Sequence, residues 1–224
     1  MREPLPARSG YVAVWLAVGA VPESGAAGLD RRASRYRQAR AAARHTGKQL
    51  VAAYTSCPPE RQVWERDDKG RPLVTSPPGL HVSLSHAEAV VAAALSWDGP
   101  VGVDVERLRP LAQRDALIRA ALCEAERQAV EDVPEPARDA QVLRFWTRKE
   151  AVAKALGTGL ATNLRAIVTT TRGAVVSLPA ECGDISTWSL ADLPVRDAVV
   201  ASVAVRAAGI RVLTRSFPLP AGAI

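Results

Sequence analysis

Cysteine is scarce in this chain and carries no pattern: Cys57, Cys123 and Cys182 stand far apart, without CxxC spacing. An odd, scattered set argues against both a disulfide framework and a thiolate zinc site. Long apolar runs are missing as well. Runs such as 89–95 and 198–205 are too short to cross a bilayer as helices. The apolar stretch from Tyr11 to Val21 follows charges and prolines and has no clear cleavage site after it, so it reads as a core strand rather than a secretory leader. The expectation is a cytoplasmic protein with no membrane contact.

Aromatic residues make up only 4% of the chain, and lysine occurs only at Lys48, Lys69, Lys149 and Lys154. The net charge of +6 is therefore carried by arginine. Arginine together with abundant alanine and valine reflects a compositional background, although a basic surface still attracts acidic partners. There is no finger spacing, no RNP-like pattern and little aromatic surface for base stacking, so no nucleic acid partner is expected. A Walker loop, an HExxH helix and a GxSxG elbow are absent too. Gly157-Thr158-Gly159 is too short to cradle a nucleotide and follows a helix instead of opening one.

What is present suits a substantial core: 224 residues, 48% of them hydrophobic, enough for one large domain or two small ones. Strands are expected at Tyr11 to Val18, 80–85, Ala89 to Trp97 and Val101 to Glu106, the last three as an antiparallel meander. Helices are expected from Leu29 to Tyr54, with a possible break at Gly47, from Arg114 to Val130, and from Arg138 to Leu156. Gly157 and Gly159 close the last of these. Short strands follow at Arg165 to Thr171, Ala174 to Leu178, Ser186 to Leu190 and Ala198 to Val205. Ala89-Val90-Val91-Ala92-Ala93-Ala94 is echoed by Ala198-Val199-Val200-Ala201-Ser202-Val203. Two Ala/Val strands can coincide by chance; the other reading is two similar α+β halves with a site at their junction.

Two acidic segments carry the chemistry. Period two places Asp104 and Glu106 on one face of a strand, with Val101, Val103 and Val105 on the other. Trp146, Glu150 and Lys154 are four apart and share one helix stripe. Taken alone, Glu150 and Lys154 read as a solvated i,i+4 pair worth about 0.3 kcal/mol. Trp146 is too large and apolar for a solvated face, so the stripe is expected to pack against another element. If it packs beside the strand, three carboxylates and a lysine converge, which suits a hard divalent cation next to a phosphate. His86 ends a strand, and Lys69 and Arg71 flank Gly70 on a turn. Each has an ordinary structural reading and a phosphate-binding one.

Taken together, these residues resemble the 4′-phosphopantetheinyl transferases of the surfactin-synthetase-activating type. The resemblance rests on Lys69-Gly70-Arg71-Pro72, Ser83-Leu84-Ser85-His86, Gly102-Val103-Asp104-Val105-Glu106, and Trp146-Thr147-Arg148-Lys149-Glu150-Ala151 leading to Lys154 and Gly157. It covers about Arg31 to Leu160. It departs from the family at Ala87, where many relatives have serine, and at Arg71, where lysine is common. The resemblance implies an α+β fold of two similar halves, 1–100 and 101–224, with coenzyme A in the cleft between them. It implies transfer of the 4′-phosphopantetheine arm to a serine of an apo acyl- or peptidyl-carrier protein, with release of 3′,5′-ADP. Asp104, Glu106 and Glu150 would hold Mg2+. Glu150 is also the candidate to remove the serine proton, directly or through a metal-bound water. Lys154 would steady the phosphates or the leaving group. Ser85, His86, Lys69, Arg71 and Arg40 would contact the coenzyme, and a monomer would suffice. The rivals are a non-catalytic module that binds coenzyme A or carrier proteins, and a metal-dependent nuclease.

Overall fold

The computed structural model describes residues 9–18, 29–158, 162–195 and 198–218. Gly159 and residues 19–21 of the N-terminal apolar stretch lie outside them. The class is mixed α+β. Strand β1 (Tyr11–Val18) leads to helix α1 (Leu29–Thr55), then to β2 (Val63–Arg66), β3 (Pro72–Ser76), β4 (His81–Ala87), β5 (Val90–Ser96) and β6 (Val101–Arg107). Helices α2 (Arg114–Ala121), α3 (Glu124–Glu131) and α4 (Glu135–Leu156) follow, and then β7 (Val168–Thr169), β8 (Val175–Ser177), β9 (Ser189–Asp192), β10 (Val199–Val205) and β11 (Arg211–Pro218). No helix among the described residues is long and apolar enough to cross a membrane.

Two sheets form the centre, one in the order β11-β1-β5-β4 and the other β6-β10-β9. The β1-β5-β4 and β6-β10-β9 sets are both antiparallel and share one register scheme. Ser96 lies opposite Val12 and His81, and Val205 lies opposite Val101 and Ser189. The two echoed segments are thus β5 and β10, each paired on both edges and buried along its whole length.

The sheets pack face to face through alternate residues. Val12, Val14 and Leu16, Val90, Ala92 and Ala94, Val101, Val103 and Val105, and Ala201, Val203 and Val205 form one core cluster. Burying each valine or leucine there contributes about 1.5–3 kcal/mol. The opposite face of the first sheet is covered by α1 through Ala43, Leu50 and Val51. The opposite face of the second is covered by α4 through Ala151, Val152 and Ala155.

Several expectations are corrected. The meander stops at β5: β1 and β4 take both of its edges, so β6 pairs with β10 in the other sheet. Helix α1 runs unbroken through Gly47. A Cβ there would lie 2.7 Å from Leu84 Cδ2, so the glycine lets the helix settle on β4. The 114–130 helix is interrupted at 122–123, where Glu126 accepts the Cys123 N–H at 3.0 Å and starts α3. Helix α4 begins at Glu135, before Arg138, because Pro136 fits a first turn that needs no N–H donor there. The tail beyond Ala207 becomes β11, parallel to β1.

Candidate active site

Strand β6 and helix α4 meet at Gly102. A Cβ at that position would come within 1.9 Å of the Ala151 carbonyl oxygen, so only glycine allows the helix to lie this close. Close approach carries the α4 stripe onto the acidic face of β6. Lys154 Nζ bonds Asp104 Oδ1 at 2.6 Å, Ser85 Oγ at 3.0 Å and the Val103 carbonyl at 3.1 Å. An ammonium has three donors, and all three are used. The expected contact of Lys154 with a phosphate would require it to release one of these partners. Trp146, one turn before Glu150, packs against the α2–α3 cluster of Ala121, Leu122 and Val130. The stripe therefore does face protein, against two different elements.

The three candidate carboxylates feel one another. Glu150 is half-buried; burial, then the Asp104 charge, hold its carboxyl above the usual range, against the pull of Lys154. Burial and Asp104 likewise raise Glu106, although Arg109 bonds its Oε2 at 3.0 Å. Among the described residues Glu150 makes no hydrogen bond or ion pair. Asp104 is only 6% exposed, and its Oδ2 is buried with no partner. Among the described residues no three His, Cys, Asp or Glu side chains gather closely enough to hold a metal ion. Two of the acids are instead occupied by the chain's own cations, Lys154 and Arg109. The donor chemistry still fits a hard divalent cation: all oxygen, with one buried carboxylate oxygen lacking a donor and two carboxylates destabilised by burial and then by like charge.

Beside this cluster lies a basic cleft of about 620 Å³ whose lining includes Arg37, Arg40, Arg44, Arg66, Lys69 and His86. His86 stands edge-on to Tyr36, with ring centroids 5.0 Å apart. Burial, then the Lys154 and Arg40 charges, push its imidazole below the usual value, while Asp104 opposes them. His86 directly follows Ser85, which bonds Asp104, so the cleft adjoins the carboxylates. The cleft thus brings together His86, Lys69 and Arg40 of the expected coenzyme contacts. Arg71 is not among its lining residues: its Nε bonds Asp67 Oδ2 at 3.1 Å, and its guanidinium lies over Gly157, the left-handed cap of α4. Ser85 lies on the opposite face of β4, bonded to Asp104 Oδ1 at 2.8 Å. Arg37 and Arg44 went unrecognised in the sequence, yet with Arg40 they repeat at three and four residues, the spacing of one helix face. Arg66 carries no comparable signal.

Two other polar residues of the α4 motif have structural duties. Lys149 is fully buried, 2.6 Å from Glu126, and also donates to the Leu164 and Ile167 carbonyls. Arg148, 1% exposed, makes two bonds to Asp192 and donates to the Thr170 and Thr171 carbonyls.

Residues 100–203 match the sequence profile of the 4′-phosphopantetheinyl transferase superfamily. The chain is 27% identical over 167 residues to the 4′-phosphopantetheinyl transferase HetI of Nostoc sp., covering 72% of this chain and 68% of that protein. It is 30% identical over 118 residues to the 4′-phosphopantetheinyl transferase psf-1 of Bacillus pumilus (52% of this chain, 49% of that one). It is 32% identical over 111 residues to the 4′-phosphopantetheinyl transferase AcpT of Salmonella typhi (50% and 56%). The chain thus spans about half the length of the latter two relatives.

Proposed function

We propose, from the match of residues 100–203 to the 4′-phosphopantetheinyl transferase superfamily, that the chain is a member and moves the 4′-phosphopantetheine arm of coenzyme A to a serine of an apo acyl- or peptidyl-carrier protein. The observation that carries this reading is the junction of the basic cleft with the Asp104, Glu106 and Glu150 cluster. A nucleotide with several phosphates needs the first, and phosphoryl transfer needs the second. The surfactin-synthetase-activating type is favoured by the shared strand order and register of β1-β5-β4 and β6-β10-β9, which supports two α+β halves, 1–100 and 101–224. Strand β11 falls outside that scheme, because it returns to the first sheet. Two halves in one chain would build the cleft without a second copy, which supports a monomer.

In this mechanism Arg37, Arg40, Arg44, Lys69 and His86 hold the adenosine phosphates in the cleft. Burial and the Lys154 and Arg40 charges bias His86 toward its neutral form, and an incoming phosphate dianion would raise its proton affinity, so binding and protonation reinforce each other. Asp104, Glu106 and Glu150 would hold Mg2+, which when bound neutralises charge on the pyrophosphate. Glu150, which makes no hydrogen bond or ion pair among the described residues and has a raised proton affinity, takes the proton of the attacking serine. The serine oxygen forms a bond to the pantetheine-bearing phosphorus, the anhydride P–O bond breaks, and 3′,5′-ADP leaves with the electron pair. Lys154 supplies positive charge at the junction while bonded to Asp104 and Ser85. The basic surface suits a carrier protein that is acidic around its serine.

Incubation with coenzyme A, Mg2+ and a panel of apo-carrier domains, read by intact mass, tests the proposal. The expected result is a gain of one phosphopantetheine group on at least one carrier. Coenzyme A binding with no mass gain on any carrier would favour the non-catalytic module.

A further inference from the structure

Strand β4 presents different chemistry on its two faces. Val82, Leu84 and His86 face the α1 side, where His86 lines the basic cleft. Ser83 and Ser85 face β6. No ladder of backbone hydrogen bonds joins the two sheets among the described residues. Side chains make the junction instead. Ser83 Oγ accepts the Val103 N–H at 3.1 Å, and Lys154 donates to the Val103 carbonyl at 3.1 Å. Strand β6 therefore has its open edge completed at this point by a hydroxyl and an ammonium.

Ser85 completes the junction one residue further along. A hydroxyl carries a single proton, and Ser85 gives it to Asp104 Oδ1 at 2.8 Å while accepting from Lys154 at 3.0 Å. Phosphate oxygens are acceptors, so a serine whose proton is committed to a carboxylate has none to offer them. Asp104 Oδ1 meanwhile receives two hydrogen bonds, and Oδ2 receives none although it is buried. The two bonds hold the carboxylate against rotation and decide which oxygen is left over.

We propose that Ser85 is a positioning residue: its hydroxyl, together with Lys154, clamps Asp104 Oδ1 so that Oδ2 is the oxygen presented to a divalent cation. Because His86 is the next residue on the opposite face of the strand, the same short segment sets the cation site against the phosphate cleft. This rests on the reading that a cation binds at Asp104, and it separates Ser85 from the coenzyme contacts among which its motif placed it.

Two titrations of the full chain test it, neither relying on turnover. Mn2+ is titrated without coenzyme and followed by the paramagnetic resonance signal of the free ion; coenzyme A is titrated without metal by calorimetry. Loss of a charge-assisted hydrogen bond predicts that Ser85→Ala weakens Mn2+ about tenfold. Ser85→Thr should restore it, and coenzyme A affinity should stay within about twofold of the unsubstituted chain in both variants. A Ser85→Ala chain that loses coenzyme A affinity and keeps its Mn2+ affinity overturns the proposal and makes Ser85 a coenzyme contact. Unchanged affinity for both ligands overturns it as well. If the unsubstituted chain fails to bind Mn2+ while still binding coenzyme A, the cation reading itself falls. Should Ser85→Ala melt below the assay temperature, Ser85→Cys, which keeps the shape but donates a weaker hydrogen bond, is read against the same outcomes.

Discussion

Strands β1 and β6 occupy matching places, yet only β6 carries the candidate site. Each borders a strand that is paired on both edges and lies beneath a long helix, and their registers coincide. Ala13 lies opposite Leu95 where Gly102 lies opposite Ala204; Trp15 is opposite Ala93 where Asp104 is opposite Ser202; Ala17 is opposite Val91 where Glu106 is opposite Val200. Toward its helix, β6 thus offers a glycine and two acids, whereas β1 offers alanine, tryptophan and alanine. The glycine admits α4 to contact distance and brings Glu150 and Lys154 with it. On β1, the Trp15 ring packs in the core beneath α1 and lies 5.9 Å from the Arg215 guanidinium. One backbone plan therefore serves either as a scaffold or as a site, and three residues on one strand face separate the two.

The comparison is broken most severely by giving β6 or its helix uncharged residues. Asp104→Ala or Glu150→Gln should each lower carrier modification on the order of 10³-fold, the scale of losing one acid–base or electrostatic group. Circular dichroism should show the fold retained in both. Full activity in both variants would refute the assignment of the carboxylates.

Next in size is the exchange of small residues. Gly102→Ala drives a methyl into the Ala151 carbonyl and should cost about 3 kcal/mol or more in urea denaturation, with a loss of transfer as α4 lifts. The reciprocal Ala13→Gly should cost only about 1 kcal/mol, from chain entropy plus one lost methyl. Equal costs would mean that the two helix–strand contacts are equally tight.

The smallest effect is in pH. Burial and the Asp104 charge hold Glu106 and Glu150 above the ordinary carboxylate value of 4.5. Between 4.5 and those raised values the folded chain binds more protons than the unfolded one, so stability falls as pH rises through the window. Asp192 has the opposite sign. Burial raises it, but the Arg148 bonds and Ser202 outweigh that, so its contribution is present above the ordinary value and lost as pH falls through the lowered one. In chelator, melting temperatures of the Glu106→Gln, Glu150→Gln double variant should overtake those of the unsubstituted chain as pH rises above about 4.5, with Mg2+ closing the gap. A gap that does not depend on pH would show that neither burial nor like charge raises the two carboxylates.

Much of the site is legible in the amino-acid sequence because it is local. Asp104 and Glu106 share a face through the strand period, and Glu150 and Lys154 share one through the helix period. Arg40, Lys69 and His86 do line one cleft. What the sequence hides is long-range. Nothing near Ser85 announces that its proton goes to Asp104, because the two lie 19 residues apart on different sheets. Nothing around Arg71 places it at the α4 cap rather than in the cleft. Arg109 lies just beyond the acidic strand, and no local pattern marks its bond to Glu106.

Periodicity and glycine placement were enough to set out the β6 strand, the α4 helix, the left-handed stop at Gly157 and the acidic and basic candidates, since each depends on a few neighbouring torsions. The partner of each strand was decided only in three dimensions. Strand β5 could have paired with β6, but β1 and β4 hold its two edges, and β11 pairs with the other edge of β1. Backbone pairing depends on which edges remain open and which faces must be buried together. Those are properties of the whole chain, and they are what carried three carboxylates, a saturated lysine and a row of arginines to one junction.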